Sequence, residues 1–255
     1  MVIESASPPR RFGSGARRPE LGGRKRHWRA LTVISGLLVV TAVIGAISWF
    51  RLVPGYRPDL KPGERYGIDV SNHQGRIDWP EVAGDHVSYA YLKATEGDDF
   101  VDKRFTENWS GAASAGLTRG AYHFFTLCSS GAAQAANFLR VLPNDPDALP
   151  PAVDLEYSGC SQRPDNATFQ RELGIFIETV EEAVGKQVIL YAMPNFTEDY
   201  PIAESFVSRD RWVRRLYRRP EADRWSIWQA SNRGRVQGID EPTDIDVWAP
   251  PGGTT

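Results

Sequence analysis

Several common chemistries are missing from this chain. No G-x-x-x-x-G-K-[ST] loop cradles a phosphate, no G-x-G-x-x-G follows a strand, and no H-E-x-x-H pair offers itself to zinc. No serine stands in G-x-S-x-G, the elbow of many hydrolases. The four histidines have no metal-ligand spacing, so His73 and His123 read as hydrogen-bonding supports, and neither metal nor other cofactor is expected. No internal repeat marks a solenoid. Cysteine is scarce: Cys128 and Cys160 are the only two.

Long apolar runs are equally scarce, which makes the single one informative. Leu31 to Phe50 holds 20 uncharged residues, about 30 Å as a helix and so the thickness of a bilayer core. Eight bases lie in the first 30 residues against Glu4 and Glu20. That leaves the first 30 residues six charges positive and, at a net charge of -2, the rest of the chain at -8. By the positive-inside rule the N-terminus stays cytoplasmic and the main domain lies across the inner membrane, in the periplasm or outside. A cleaved signal peptide is the competing reading, but the apolar run exceeds the usual h-region of about 7–15 residues. An acidic main domain argues against nucleic acid as a partner. The domains expected are a basic tail at 1–27, a transmembrane helix at 28–50, a Pro/Gly-rich linker at 51–64, the main domain at 65–250 and a short tail at 251–255. An exported location permits a Cys128–Cys160 disulfide, which would close about 30 residues and contribute about 3 kcal/mol. Two free thiols are the alternative.

Beyond residue 65, short apolar runs alternate with amphipathic stretches. Strands are predicted at Tyr66–Ser71, Val87–Lys93, Gly120–Phe125, Ala152–Tyr157, Gln187–Tyr191, Trp225–Gln229 and Asp244–Trp248. Helices are predicted at Lys103–Ala115, with Asp102 as N-cap, and at Gly131–Leu142, Ala167–Val184 and Ile202–Leu216. Gly116 and Gly185 are natural stops. This alternation predicts an α/β chain of parallel β/α units, closed most economically as a TIM-like barrel. Functional side chains then gather at the C-terminal strand ends.

The strand ends bear this out in their residue types. They carry Asp69, then Lys93 with Glu96, then Tyr122 and Phe124, then Asp154 and Glu156, then Tyr191, Trp228 with Gln229, and Asp244 with Asp246. Asp154 and Glu156 are the most pointed pair. In a strand, positions i and i+2 share a face, with Cα atoms roughly 6.6 Å apart. Two carboxylates so placed can flank one scissile bond, one protonated and one ionised. Val153 and Leu155 then face a core. Acids with aromatics at one rim suit a carbohydrate, whose C–H faces pack on rings and whose hydroxyls bond to acids. Structural alternatives exist for some: Asp69 as a loop-bonding acid, Glu96 in an ion pair, and Tyr122, Tyr191 and Trp228 in the core. Trp79 and Trp109 read as packing residues.

In order along the chain, Gly67-Ile68-Asp69-Val70-Ser71-Asn72-His73-Gln74-Gly75, Ile77-Asp78-Trp79, Tyr91-Leu92-Lys93-Ala94-Thr95-Glu96-Gly97, Gly120-Ala121-Tyr122-His123-Phe124-Phe125, Pro151-Ala152-Val153-Asp154-Leu155-Glu156 and Ile227-Trp228-Gln229 together resemble the family 25 glycoside hydrolases, lysozymes of the Chalaropsis type. The resemblance spans residues 65–250. It implies an irregular β/α barrel that hydrolyses the β-1,4 bond between N-acetylmuramic acid and N-acetylglucosamine, with peptidoglycan glycan strands as partner and no oligomer required. It also implies that Glu156 is the general acid/base and Asp154 its partner. Asp69 and Asp244 match two further acids, and Tyr122 and Tyr191 match cleft aromatics. One departure stands out: the family usually follows its last acid with a hydrophobic residue and Asn, whereas here Asp244-Ile245 is followed by Asp246, so either acid can hold the expected position. A chitinase-like site would carry a third acid at position 152, where Ala152 stands. A chitin-type glycosidase and a non-catalytic wall-binding module are the competing functions.

Overall fold

The computed structural model describes residues 22–249 except 158, 162, 204–205 and 222–224. The predicted tail at 251–255 and residues 1–21 of the N-terminal tail lie outside the described residues. The chain divides into two compact units, 1–49 and 50–255. In the first, helix α1 (Gly22–Leu52) takes in the expected span and the last six residues of the expected tail. The stretch Leu31–Gly55 holds an apolar window with a mean hydropathy of 2.3, and no residue of that window is buried. By length and composition it can cross a membrane.

In the second unit eight strands close into a barrel. β1 (Arg65–Val70), β2 (Val87–Glu96), β4 (Thr118–Phe124), β5 (Ala152–Leu155), β6 (Ile189–Ala192), β7 (Arg211–Arg214) and β8 (Ile227–Gly234) run parallel, each beside the next. β9 (Thr243–Trp248) is antiparallel to both β8 and β1 and closes the ring. β3 (Phe100–Val101) is a two-residue appendage on β2. The all-parallel barrel expected from the alternation is therefore corrected in its last strand. Only a short connection separates β8 from β9, and a parallel return needs a crossover of a dozen or more residues.

A second correction concerns Ile202–Leu216, predicted as a helix. It contains β7, and the only helix between β6 and β7 among the described residues is the one-turn α6 (Pro194–Asp199). The Arg211-Trp212-Val213-Arg214 alternation puts Trp212 in the lumen and overrides a weak helical period. The other predicted helices stand as α3 (Phe105–Ser114), α4 (Gly131–Val141) and α5 (Asn166–Val184), with α2 (Trp79–Gly84) added. Gly185 ends α5 in the left-handed region at φ 71°.

Two cores result. Between barrel and helices lies a large apolar layer that includes Val153, Leu155, Phe125, Phe138, Phe176, Trp79 and Trp109. The lumen is aromatic, filled by Tyr89, Tyr91, Tyr191 and Trp212. Glycine makes that filling possible. A Cβ on Gly67 would stand 2.1 Å from the Tyr89 ring, and one on Gly120 would stand 2.4 Å from the Tyr91 ring. The expected linker is more than a tether. Arg57 pairs with Asp85 at 2.5 Å, Arg219 donates to the Asp59 carbonyl at 2.8 Å, and Arg235 N–H donates to the Pro54 carbonyl at 2.8 Å, so this segment packs along the barrel.

Candidate active site

Strand alternation builds the site. On β4 and β5, Tyr122, Phe124 and Asp154 face the lumen and remain partly open, while His123, Phe125, Val153 and Leu155 are buried against the helices. Glu156 follows β5 directly and joins Asp154 in lining a cleft of about 660 Å³, solvent at its mouth included. Asp69, Asp244, Gln229, Tyr191, Lys93 and Trp212 complete the walls, with Ser71 and His73 at the lip. On β2 the register shifts between Lys93 and Thr95. That bulge lets Lys93 face the cleft while Thr95 turns outward onto His123, their Oγ1 and Nδ1 atoms 2.7 Å apart.

The polar contacts run as a chain across the barrel mouth. The Tyr191 hydroxyl lies within hydrogen-bond reach of Glu156 and of Gln229 Oε1, the latter at 3.1 Å. Gln229 Nε2 donates to Asp244 Oδ2 at 2.7 Å and reaches Asp69 Oδ2 at 3.5 Å. One pleat deeper, Asp246 is fully buried and accepts from Trp212 Nε1 at 3.1 Å. Asp246 Oδ2 has no N–H donor, and its contact with Asp69 needs a proton on one of the two carboxyls. Burial raises both Asp69 and Asp246 well above the ordinary carboxylate range, and the nearby charge of Asp246 raises Asp69 further.

Desolvation dominates the titration of all these acids. It raises Asp154 well above the ordinary carboxylate range, and the charge of Glu156 adds to the rise. Glu156 is raised by desolvation too, opposed by the Tyr191 hydrogen bond and by the charges of Arg214 and Lys93. Asp244 is pushed up to about 9 by desolvation and the charge of Asp69. Asp154 Oδ1 is sealed from solvent and has no hydrogen-bond partner. A close pair of carboxyls with raised affinity holds a proton that can be given away.

A family model described as Glycosyl hydrolases family 25 matches residues 68–239. The chain belongs to glycoside hydrolase family 25. It is 36% identical over 209 residues to the Escherichia coli (strain K12) protein YegX, covering 76% of this chain and 75% of that one. It is 33% identical over 192 residues to Lysozyme M1 of Streptomyces globisporus, covering 70% and 65% respectively. Among solved structures, a family 25 glycosyl hydrolase from Bacillus anthracis superposes with a TM-score of 0.70 at 35% identity, covering 76% of this chain and 93% of that one. The protein is therefore a glycoside hydrolase.

Not every residue expected at the rim of this family 25 barrel is there. Trp228 faces away from the lumen and packs with Trp225, its Nε1 donating to the Arg215 carbonyl at 2.8 Å. Alternation requires this, because its neighbour Gln229 points in. Asp246 lies beneath the cleft instead of lining it. Glu96 forms an ion pair with Lys93 at 2.6 Å and does not line the cleft. Asp244 reaches the mouth from the start of β9, not from a C-terminal strand end, because that strand is reversed. Asp102 does not cap α3. It is buried and accepts from Asn72 N at 2.7 Å and Asn72 Nδ2 at 2.9 Å, pinning the turn that presents Ser71 and His73. His123 is the support expected of it, bonded to Thr95 and, through Nε2, to Gln134 Oε1 at 3.1 Å. Cys128 and Cys160 form a disulfide, Cα atoms 5.7 Å apart, joining the loops after β4 and β5. Lys93, named with Glu96 at its strand end, does line the cleft, whereas Trp212 is a cleft residue the sequence reading missed. The alternating segment around Trp212 was the available signal.

Proposed function

We propose that the protein is an N-acetylmuramidase cleaving β-1,4 bonds between N-acetylmuramic acid and N-acetylglucosamine in peptidoglycan. The observation that carries this reading is Asp154 beside Glu156 in one cleft, with Asp154 Oδ1 lacking a donor. The substrate's 2-acetamido N–H donates to the other oxygen, Asp154 Oδ2, which is not sealed. Its hydrogen bond favours ionised Asp154 and leaves the shared proton on Glu156. Glu156 then protonates the glycosidic oxygen as the bond breaks. The acetamido carbonyl, oriented by Asp154, attacks the anomeric carbon, a substrate-assisted route. Water later opens that intermediate, with Glu156 as base. Tyr122 and Phe124 offer ring faces to the sugar, while Asp69, Asp244 and Gln229 bond its hydroxyls.

Glu156→Gln should lower the release of reducing ends from purified peptidoglycan by about a thousandfold or more, with the thermal transition unchanged. Wild-type turnover by that variant refutes the assignment. N-deacetylated glycan should resist the wild-type enzyme, and its ready cleavage would favour attack by an Asp instead. We further read α1 as an uncleaved anchor with the catalytic domain facing the wall. Cell fractionation should recover the full-length chain with membranes; a shortened soluble form would make this segment a signal peptide.

A further inference from the structure

We propose that Arg214 forms an anion subsite at the cleft mouth that binds a carboxylate carried on the muramyl substituent. This rests on the muramidase reading. On β7, Trp212 faces the lumen, where its Nε1 reaches Asp246. Arg214 stands two residues further along the same strand, hence on the same face and beyond the cleft-lining residues themselves, where it also borders an adjoining cavity with Leu190 and Phe206. Its register partner on β8 is Gln229, which also points inward. The guanidinium is close enough for its charge to act on Glu156, Asp244 and Tyr191.

What sets Arg214 apart is its lack of a partner. The neighbouring bases are engaged: Arg215 and Arg218 with Glu221 at 3.5 and 2.6 Å, Arg219 with Glu64 at 2.6 Å, and Lys93 with Glu96 at 2.6 Å. Arg214 makes no ion pair or hydrogen bond among the described residues and is only half-buried. Of the cleft-lining residues the one lysine or arginine is Lys93, and it is already paired with Glu96. A guanidinium without an ion pair at the cleft edge matches a carboxylate in shape, two N–H groups to two oxygens. In peptide-bearing peptidoglycan the carboxylates belong to the stem peptide, because the lactyl carboxyl is an amide there. Once the peptide is removed, the lactyl carboxylate itself is free.

The test compares wild type, Arg214→Gln and Arg214→Lys on three glycans: peptide-bearing, peptide-free with lactyl carboxylates, and peptide-free with those carboxyls converted to methylamides. Arg214→Gln should raise KM by about tenfold to a hundredfold on a carboxylate-bearing glycan and leave KM unchanged on the methylamide. Arg214→Lys should recover part of the loss. An effect confined to the peptide-free acid assigns the lactyl group; one confined to the peptide-bearing glycan assigns the stem peptide. Equal losses on all three, or a change in kcat and pH profile alone, overturn the subsite and make Arg214 a residue that tunes Glu156. Wild-type inactivity on all three sinks the muramidase reading, and the subsite with it.

Discussion

The two faces of β4 and β5 solve opposite problems with the same backbone. Outward, His123 is fully buried with both ring nitrogens bonded and its ring stacked 4.8 Å from Phe176. Inward and a strand away, Asp154 keeps one sealed oxygen without a donor. Unpartnered buried atoms occur on both sides of the barrel, Trp79 Nε1 on the helix side among them, so what separates the faces is ionisable crowding. The outward face holds the strands in place, and the inward face gathers carboxyls in a cleft open to substrate. A site of crowded acids is tolerable only because Val153, Leu155 and Phe125 anchor the same strands in an apolar layer.

That contrast can be broken from either side. After Glu156→Gln the largest effect is expected from Asp154→Asn, which should lower kcat by about a hundredfold to a thousandfold while raising the melting temperature at pH 7, since it removes the cost of keeping a desolvated carboxyl protonated there. A loss of both activity and stability would place Asp154 with the structural face. His123→Ala should do the reverse, costing about 3 kcal/mol by chemical denaturation through a cavity and two stranded partners, with kcat of the folded fraction retained.

The pH dependence of stability sharpens the comparison, because the two faces have opposite signs. Burial lowers His123 from 6.5 to about 4, so the unfolded chain binds more protons between those values. Its contribution is complete above about pH 6.5 and is lost as pH falls toward 4, on the order of 3 kcal/mol in all. Asp244 is raised from 3.8 to about 9, so its contribution is complete below about pH 4 and is lost as pH rises toward 9. Denaturation across pH 4–9 should show His123→Gln flattening the acid side and Asp244→Asn flattening the alkaline side. Interchanged effects would contradict the layering.

The disulfide lies between the two faces, tying the loop after the Tyr122 strand to the loop after Glu156. Replacing both cysteines with serine should cost about 3 kcal/mol in the chain-entropy picture, with a smaller change in KM than in stability. The mildest effect is expected from Asp246→Asn. An amide there donates to Asp69, so Asp69 ionises more readily and the alkaline limb of the pH–rate profile moves to lower pH. An unmoved limb would separate Asp246 from catalysis.

Much of this site was legible because strand alternation is a two-residue rule. Pro151-Ala152-Val153-Asp154-Leu155-Glu156 fixes which side chains share a face wherever the strand is placed, and Tyr122, Phe124, Tyr191 and Gln229 follow by the same rule. The rule misplaced Trp228 only because either parity could have faced inward until a neighbour decided it. It missed Trp212 because the run from Ile202 to Leu216 mixes periods too short to separate, and packing in the lumen made the choice.

By itself the sequence determined the apolar N-terminal helix, the strand–helix alternation, the spacing of Asp154 and Glu156, and the presence of two cysteines, each a few residues after a strand. These depend on local period, composition and chain length. Tertiary structure alone decided that β9 runs backwards and so brings Asp244 beside Asp69, that a bulge on β2 turns Lys93 inward, and that Asp246 sits one layer beneath the acids. It also decided which bases found partners, Arg215, Arg218 and Arg219 among them, while the Arg214 side chain forms no ion pair among the described residues. Each of these depends on contacts between residues distant in sequence, where desolvation and register act only once the barrel has closed.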